Sequence, residues 1–146
     1  MNELLRFAFP VFAGLTFALV PLYAWTRRGR VFALFSVVVM GLSLAGALAV
    51  HARLDLWLQG GWLRFAQAVM AYGMFAAAWH YAHLVRARMR GPVFRWAISV
   101  PGQTFIASSF LATFWMLLLL VVRLPLSLLE ARTLLSVLTP LDFLPY

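Results

Sequence analysis

The sequence predicts an all-α integral membrane protein: a bundle of four transmembrane helices followed by a short interfacial C-terminal helix. Three observations predict it. Of 146 residues, 64% are hydrophobic and 11% are charged, whereas a soluble domain carries roughly a quarter charged residues. Four apolar runs approach the ~20 residues that a helix needs to cross a bilayer. Arginines stand at the ends of those runs and not inside them. With a mean hydropathy of +0.91, the chain lacks the polar side chains to cover itself in water, so lipid is the solvent for most of its surface. No polar block of the ~50 residues required by a separate soluble domain is present, and 1–146 reads as a single membrane domain.

The first span, 7–25, contains Pro10 and Pro21, which free backbone carbonyls and should bend it. A signal peptide would need a positive start and a small-residue cleavage site. Here "MNELLR" balances Glu3 against Arg6, and the charge of "YAWTRRGR" follows the apolar run, so a retained span is expected. "TRRGR" then joins it to the second span, 31–50, in a tight hairpin. "HARLDLWLQGGWLR" falls in an interfacial segment, 52–64. The third span, 65–85, ends at "WHYAHLVRARMRG". The stretch "RARMRGPVFRWAISVPGQT", punctuated by Pro92, Pro101 and Gly102, reads as a loop before the fourth span, 105–122. In the last interfacial segment, 124–146, Pro125 and Pro140 bracket a stretch too short to span, predicted as an amphipathic helix over 127–138.

Charge sets the orientation. With four spans drawn, Arg27, Arg28, Arg30, Arg86, Arg88, Arg90 and Arg95 fall on one side. Arg6, Arg53, Arg64, Arg123 and Arg132 fall on the other, with all four acids: Glu3, Asp55, Glu130 and Asp142. The positive-inside rule places the first set in the cytoplasm and both termini outside it, as a multi-pass protein of a bacterial inner membrane. Although the net charge is +8, the arginines are spread over helix ends, which points to topology and not to nucleic acid. The seven form a collar that would attract anionic lipid headgroups at about 1 kcal/mol each. Small residues four apart (Gly14 and Ala18, Gly41 and Ala45, Gly73 and Ala77, Ser108 and Ala112) offer faces for close helix packing.

His80 and His83 are three apart and share a helix face. A membrane haem wants axial nitrogens from two helices at similar depth. The remaining histidine, His51, lies at the opposite end of the second span, roughly 20 Å away in depth. Beside an arginine cluster, His80 and His83 read as interfacial side chains, and haem b at either is the alternative. No other cofactor is expected. The absence of cysteine excludes disulfides and thiolate sites. No acid lies within a span, which argues against a proton relay, and no catalytic or metal-binding motif is present. An enzyme is therefore not expected.

The leading expectation is a non-catalytic structural, assembly or anchoring subunit of a larger membrane complex, with other membrane subunits or further copies of itself as partners. The alternative is a haem-binding electron-transfer module using His80 or His83. An oligomeric channel or transporter component, built on the hydroxyl-bearing face of Ser108, Ser109 and Thr113, is a third reading. In hydropathy and arginine placement, residues 10–90 resemble the membrane regions ahead of catalytic domains in some bacterial metallophosphoesterases, without that family's metal-binding motif. This resemblance implies a fourth role, as the membrane anchor of a separate soluble enzyme.

Overall fold

A single residue, Gly29, separates the first two helices in the computed structural model, which describes residues 2–86 and 90–128. Arg88 and the greater part of the interfacial helix expected over 127–138 lie outside the described residues. Helix α1 (Asn2–Arg28) and α2 (Arg30–Trp57) reverse direction at Gly29, whose φ of 86° and ψ of −176° define a backbone region that only glycine occupies without strain. The link has no slack. The Gly29 amide donates to the Trp25 carbonyl at 3.1 Å, closing α1, and its own carbonyl accepts from Ala33 at 3.2 Å, opening α2.

Helix α3 (Gly60–Leu84) follows after only Leu58 and Gln59, so most of the expected interfacial segment 52–64 is helix. The longest departure from expectation comes next. The stretch read as a loop is largely helical: α4 (Pro92–Phe94), a π-helical turn (Arg95–Ser99) and α5 (Val100–Leu128) follow one another directly. Pro92 sits at the first turn, where its missing N–H costs nothing. Pro101 is accommodated by the wider turn before it, in which the Val100 amide reaches back to Arg95. Pro125 lies inside α5 and does not end it; a proline removes one ladder bond, and the rest of the helix holds.

Among the described residues, three stretches of helix are long and apolar enough to cross a membrane: Phe7–Arg28, Arg30–Leu54 and Pro92–Ser127. The third expected span does not reach that hydropathy, because α3 carries Gln67, His80, His83 and several small or aromatic residues.

Around the bundle the order is α1–α2–α5–α3. The first and last long helices each pack on α2 and α3, while α2 and α3 meet more lightly across a diagonal. Two apolar clusters fill the centre. Phe9, Ala13, Ala47 and Met74 form one, sealed by Leu44, Met70 and Phe105. Val20, Met40 and Tyr81 form the other, nearer the arginine-rich end.

Small residues decide how closely α5 approaches its neighbours. A Cβ on Gly46 would stand 2.0 Å from the Ser109 carbonyl oxygen, and one on Gly102 would stand 2.6 Å from that of Ala76. Gly73 and Ala77 are buried as the sequence suggested, with the Phe105 ring against Gly73. Gly14, Ala18, Ala45 and Ser108 instead face outward, and a Cβ on Gly14 would meet nothing. The approach is reinforced by a hydroxyl: Thr113 Oγ1 lies 2.5 Å from the Leu42 carbonyl across the interface and 3.0 Å from that of Ser109 on its own helix.

Candidate functional site

Helices α1 and α3 run the same way, so both end on one side of the bundle, and the last carbonyls of each need partners there. Arginine supplies one. Arg28 Nε donates to the Val85 carbonyl at 3.0 Å, tying the end of α1 to the end of α3 and placing a cation at a helix C-terminus, where the dipole favours it. Arg86 Nε donates to the Tyr23 hydroxyl at 2.6 Å, again between α3 and α1. Arg90 Nη2 lies 3.4 Å from the His83 carbonyl.

The same arginines lie over aromatic rings. The Tyr23 ring has the Arg27 guanidinium at 6.0 Å and that of Arg86 at 5.8 Å from its centroid. Arg28 lies 5.2 Å from Phe32, Arg30 5.8 Å from Trp25, and Arg90 4.4 Å from Phe94. These are cation–π distances, each worth about 0.5–1 kcal/mol when exposed. Between α1 and α3 the cluster leaves a cleft of about 240 Å³ lined by Tyr23, Trp79, Ala82, His83 and Arg86.

The structure separates the two histidines by role. His80 is 8% exposed, and its Nε2 lies 3.2 Å from Nε2 of Gln103 on α5. His83 is wedged edge-on between Trp79 at 5.3 Å and Phe94 at 5.0 Å, facing the cleft. His51 sits near the far end of α2, stacked on Phe9 at 4.8 Å with 15° between the rings, and is not brought near the other two. Among the described residues no group of three or more His, Asp or Glu converges as metal ligands would.

Of the seven collar arginines, Arg27, Arg28, Arg30, Arg86 and Arg90 carry the contacts above, and Arg95 begins the π-helical turn. Spacing marks these positions but not their use: Arg28 and Arg86 tie the end of α1 to that of α3, and the ring contacts of Arg28 and Arg30 join α1 to α2. It also missed Gln103 as the partner of His80. A third omission is the Tyr72 hydroxyl of α3, which donates to the Ala97 carbonyl. The signal for that bond lay in Pro101, which has no N–H to offer the carbonyl four residues back.

Fold and site together define a helical protein with helices of membrane-crossing length and an arginine-and-aromatic end. No protein-family model, curated protein or solved structure matches the chain.

Proposed function

We propose that the chain is a multi-pass membrane module of four crossing helices with a non-catalytic role, as a structural, assembly or anchoring subunit of a larger membrane complex. One observation carries this reading: its flanks are apolar and exposed all round. Leu15 and Leu22 on α1, Val31 and Leu34 on α2, Phe65 and Phe75 on α3, and Leu111 and Val121 on α5 all face outward. Soluble monomers rarely show contiguous apolar patches beyond a few hundred Å². Buried hydroxyls are meanwhile satisfied within their own helices, as in Thr16 to the Phe12 carbonyl, Ser36 to Phe32 and Ser43 to Val39.

Arginine spacing supports a fourth crossing by α3 despite its weaker hydropathy. Arg6 and Arg27, Arg30 and Arg53, and Arg64 and Arg86 bracket the first three helices at about 32–35 Å of helix each. That length matches a hydrocarbon core of about 30 Å, so α3 carries the same end markers as its neighbours. The arginine-rich end then faces the cytoplasm of a bacterial cell, with both termini outside it.

Extraction in mild detergent followed by native sizing tests the subunit role. The expected result is an assembly heavier than the 16.4 kDa chain with its detergent, containing a defined partner or a fixed number of copies. Recovery as a lone monomer under every mild condition would overturn it.

A further inference from the structure

We propose that the cleft between α1 and α3 is a binding site for the phosphate headgroup of an anionic phospholipid, held by Tyr23 and Arg86 of its lining with Arg27 beside the Tyr23 ring. The inference rests on the membrane reading above and adds to it a defined ligand class and place. Two guanidinium groups are drawn to one ring, at 6.0 and 5.8 Å from the Tyr23 centroid. Both side chains are exposed, and two positive charges gathered on one ring at a membrane surface attract an anion. The chain supplies none from these helices. Glu3 and Asp55 stand at the opposite ends of α1 and α2, about 36 Å of helix away, and Glu130 and Asp142 lie beyond the described residues.

The donors suit a phosphate. The Tyr23 hydroxyl accepts from Arg86 Nε, which leaves its own proton to donate. Arg86 spends one N–H in that bond and retains the others of its five-donor fork, the geometry that matches phosphate oxygens. His83 borders the same cleft. At about 240 Å³ the space is smaller than the 300 Å³ at which whole-ligand pockets begin, as a headgroup site with its chains outside would be.

What joins the cleft selects a lipid over a soluble phosphate. From Trp79 an exposed aromatic track continues along α3 toward mid-bundle, with Phe75 stacked on Trp79 at 5.7 Å and Tyr72 beyond it, each about half exposed. Opposite, Leu19 shares the Tyr23 face of α1 one turn back and is also exposed. Acyl chains descending from a phosphate in the cleft would lie on this track, and inorganic phosphate would gain nothing from it.

Thermal unfolding of the detergent-solubilised protein, titrated with phosphatidylglycerol, phosphatidylcholine, glycerol phosphate or inorganic phosphate, tests the site. Phosphatidylglycerol should raise the midpoint at concentrations at least tenfold below those of phosphatidylcholine, with both soluble phosphates inert. Arg86→Gln should weaken the phosphatidylglycerol response about tenfold. Arg27→Gln, which removes a ring contact and leaves the Arg86–Tyr23 bond in place, should weaken it several-fold. Arg30→Gln, the same charge change on the Trp25 side, should leave it intact. Equal responses to the two lipids, or equal losses in all three variants, would overturn the site; saturation by inorganic phosphate at lipid-like concentrations would overturn the lipid assignment. A chain that stays folded and monodisperse without detergent would instead overturn the membrane reading beneath it.

Discussion

Arg28 Nε, in the last turn of α1, donates to the Val85 carbonyl just past the end of α3 at a distance of 3.0 Å. The bond occupies one of the acceptors a helix end leaves open and sets a fixed cation on the negative pole of α3. Arg28 is exposed and Val85 is buried, so the bond is part-covered and is worth about 1 kcal/mol. Arg28→Ala is therefore expected to lower the unfolding midpoint in detergent by a few degrees. Hydrogen exchange should show the faster opening confined to the last turn of α3. An unchanged exchange rate there would mean that the bond contributes nothing.

The bond from Tyr72 to the Ala97 carbonyl predicts a coupled pair of substitutions. Tyr72→Phe removes the side-chain donor to that carbonyl and should cost about 1–2 kcal/mol. With Pro101→Ala in place, the backbone again offers an N–H to Ala97 and the π-helical turn is no longer imposed. Tyr72→Phe should then be nearly silent. A double-mutant cycle measures this, and additive costs would rule out the compensation.

Close packing at Gly46 gives a contrast inside one protein. Gly46→Val places methyl groups where the Ser109 carbonyl and Thr113 already lie, so α2 and α5 must separate and the Thr113–Leu42 contact is lost. A cost of about 1–3 kcal/mol follows from such overpacking. Gly14→Val meets open space and should cost less than about 1 kcal/mol. Equal effects on the unfolding midpoint would remove the distinction between the two positions.

Because the sequence has no cysteine, membrane sidedness can be read by single introduced thiols. Thr26→Cys and Gly91→Cys should react with an impermeant maleimide from the same side, and Gln59→Cys from the other. If α3 does not cross, Gln59→Cys and Gly91→Cys will label together. That outcome would reduce the crossings to three and move the C-terminal end of α5 to the other face.

His80 is nearly enclosed and engaged by Gln103, an arrangement that suits a buried polar link between α3 and α5. Protein expressed with haem supplied is expected to show no Soret band. Gln103→Leu should destabilise the bundle by about 1–2 kcal/mol by stripping the imidazole of a partner. A Soret band lost in His80→Ala would reverse this reading.

How much of this was legible follows from what each residue type reports. Apolar runs and their arginine ends marked an all-helical chain and where its long helices lie, since hydropathy and charge act locally. Gly29 could be placed as a hairpin turn because "TRRGR" leaves no length for anything else. The prolines misled. Pro92, Pro101 and Pro125 carry the sequence signal of a break, yet position within a helix decides what a proline costs, and a first turn, a π turn and a hydroxyl on another helix absorb two of them. Small-residue spacing named Gly73 correctly and passed over Gly46 and Gly102, because spacing alone does not say which face meets a neighbour. Pairings such as Gln103 with His80, or Arg28 with Val85, join residues distant in sequence and had no local signature.

The single-residue connection at Gly29 also bears on biogenesis. Its amide and carbonyl belong to the ladders of two helices at once, so the whole reversal between them rests on the two backbone dihedrals of one residue. Under the membrane reading proposed above, no loop separates the first two crossings, which favours delivery of the nascent chain through about Trp57, where α2 ends, before the pair enters the bilayer together.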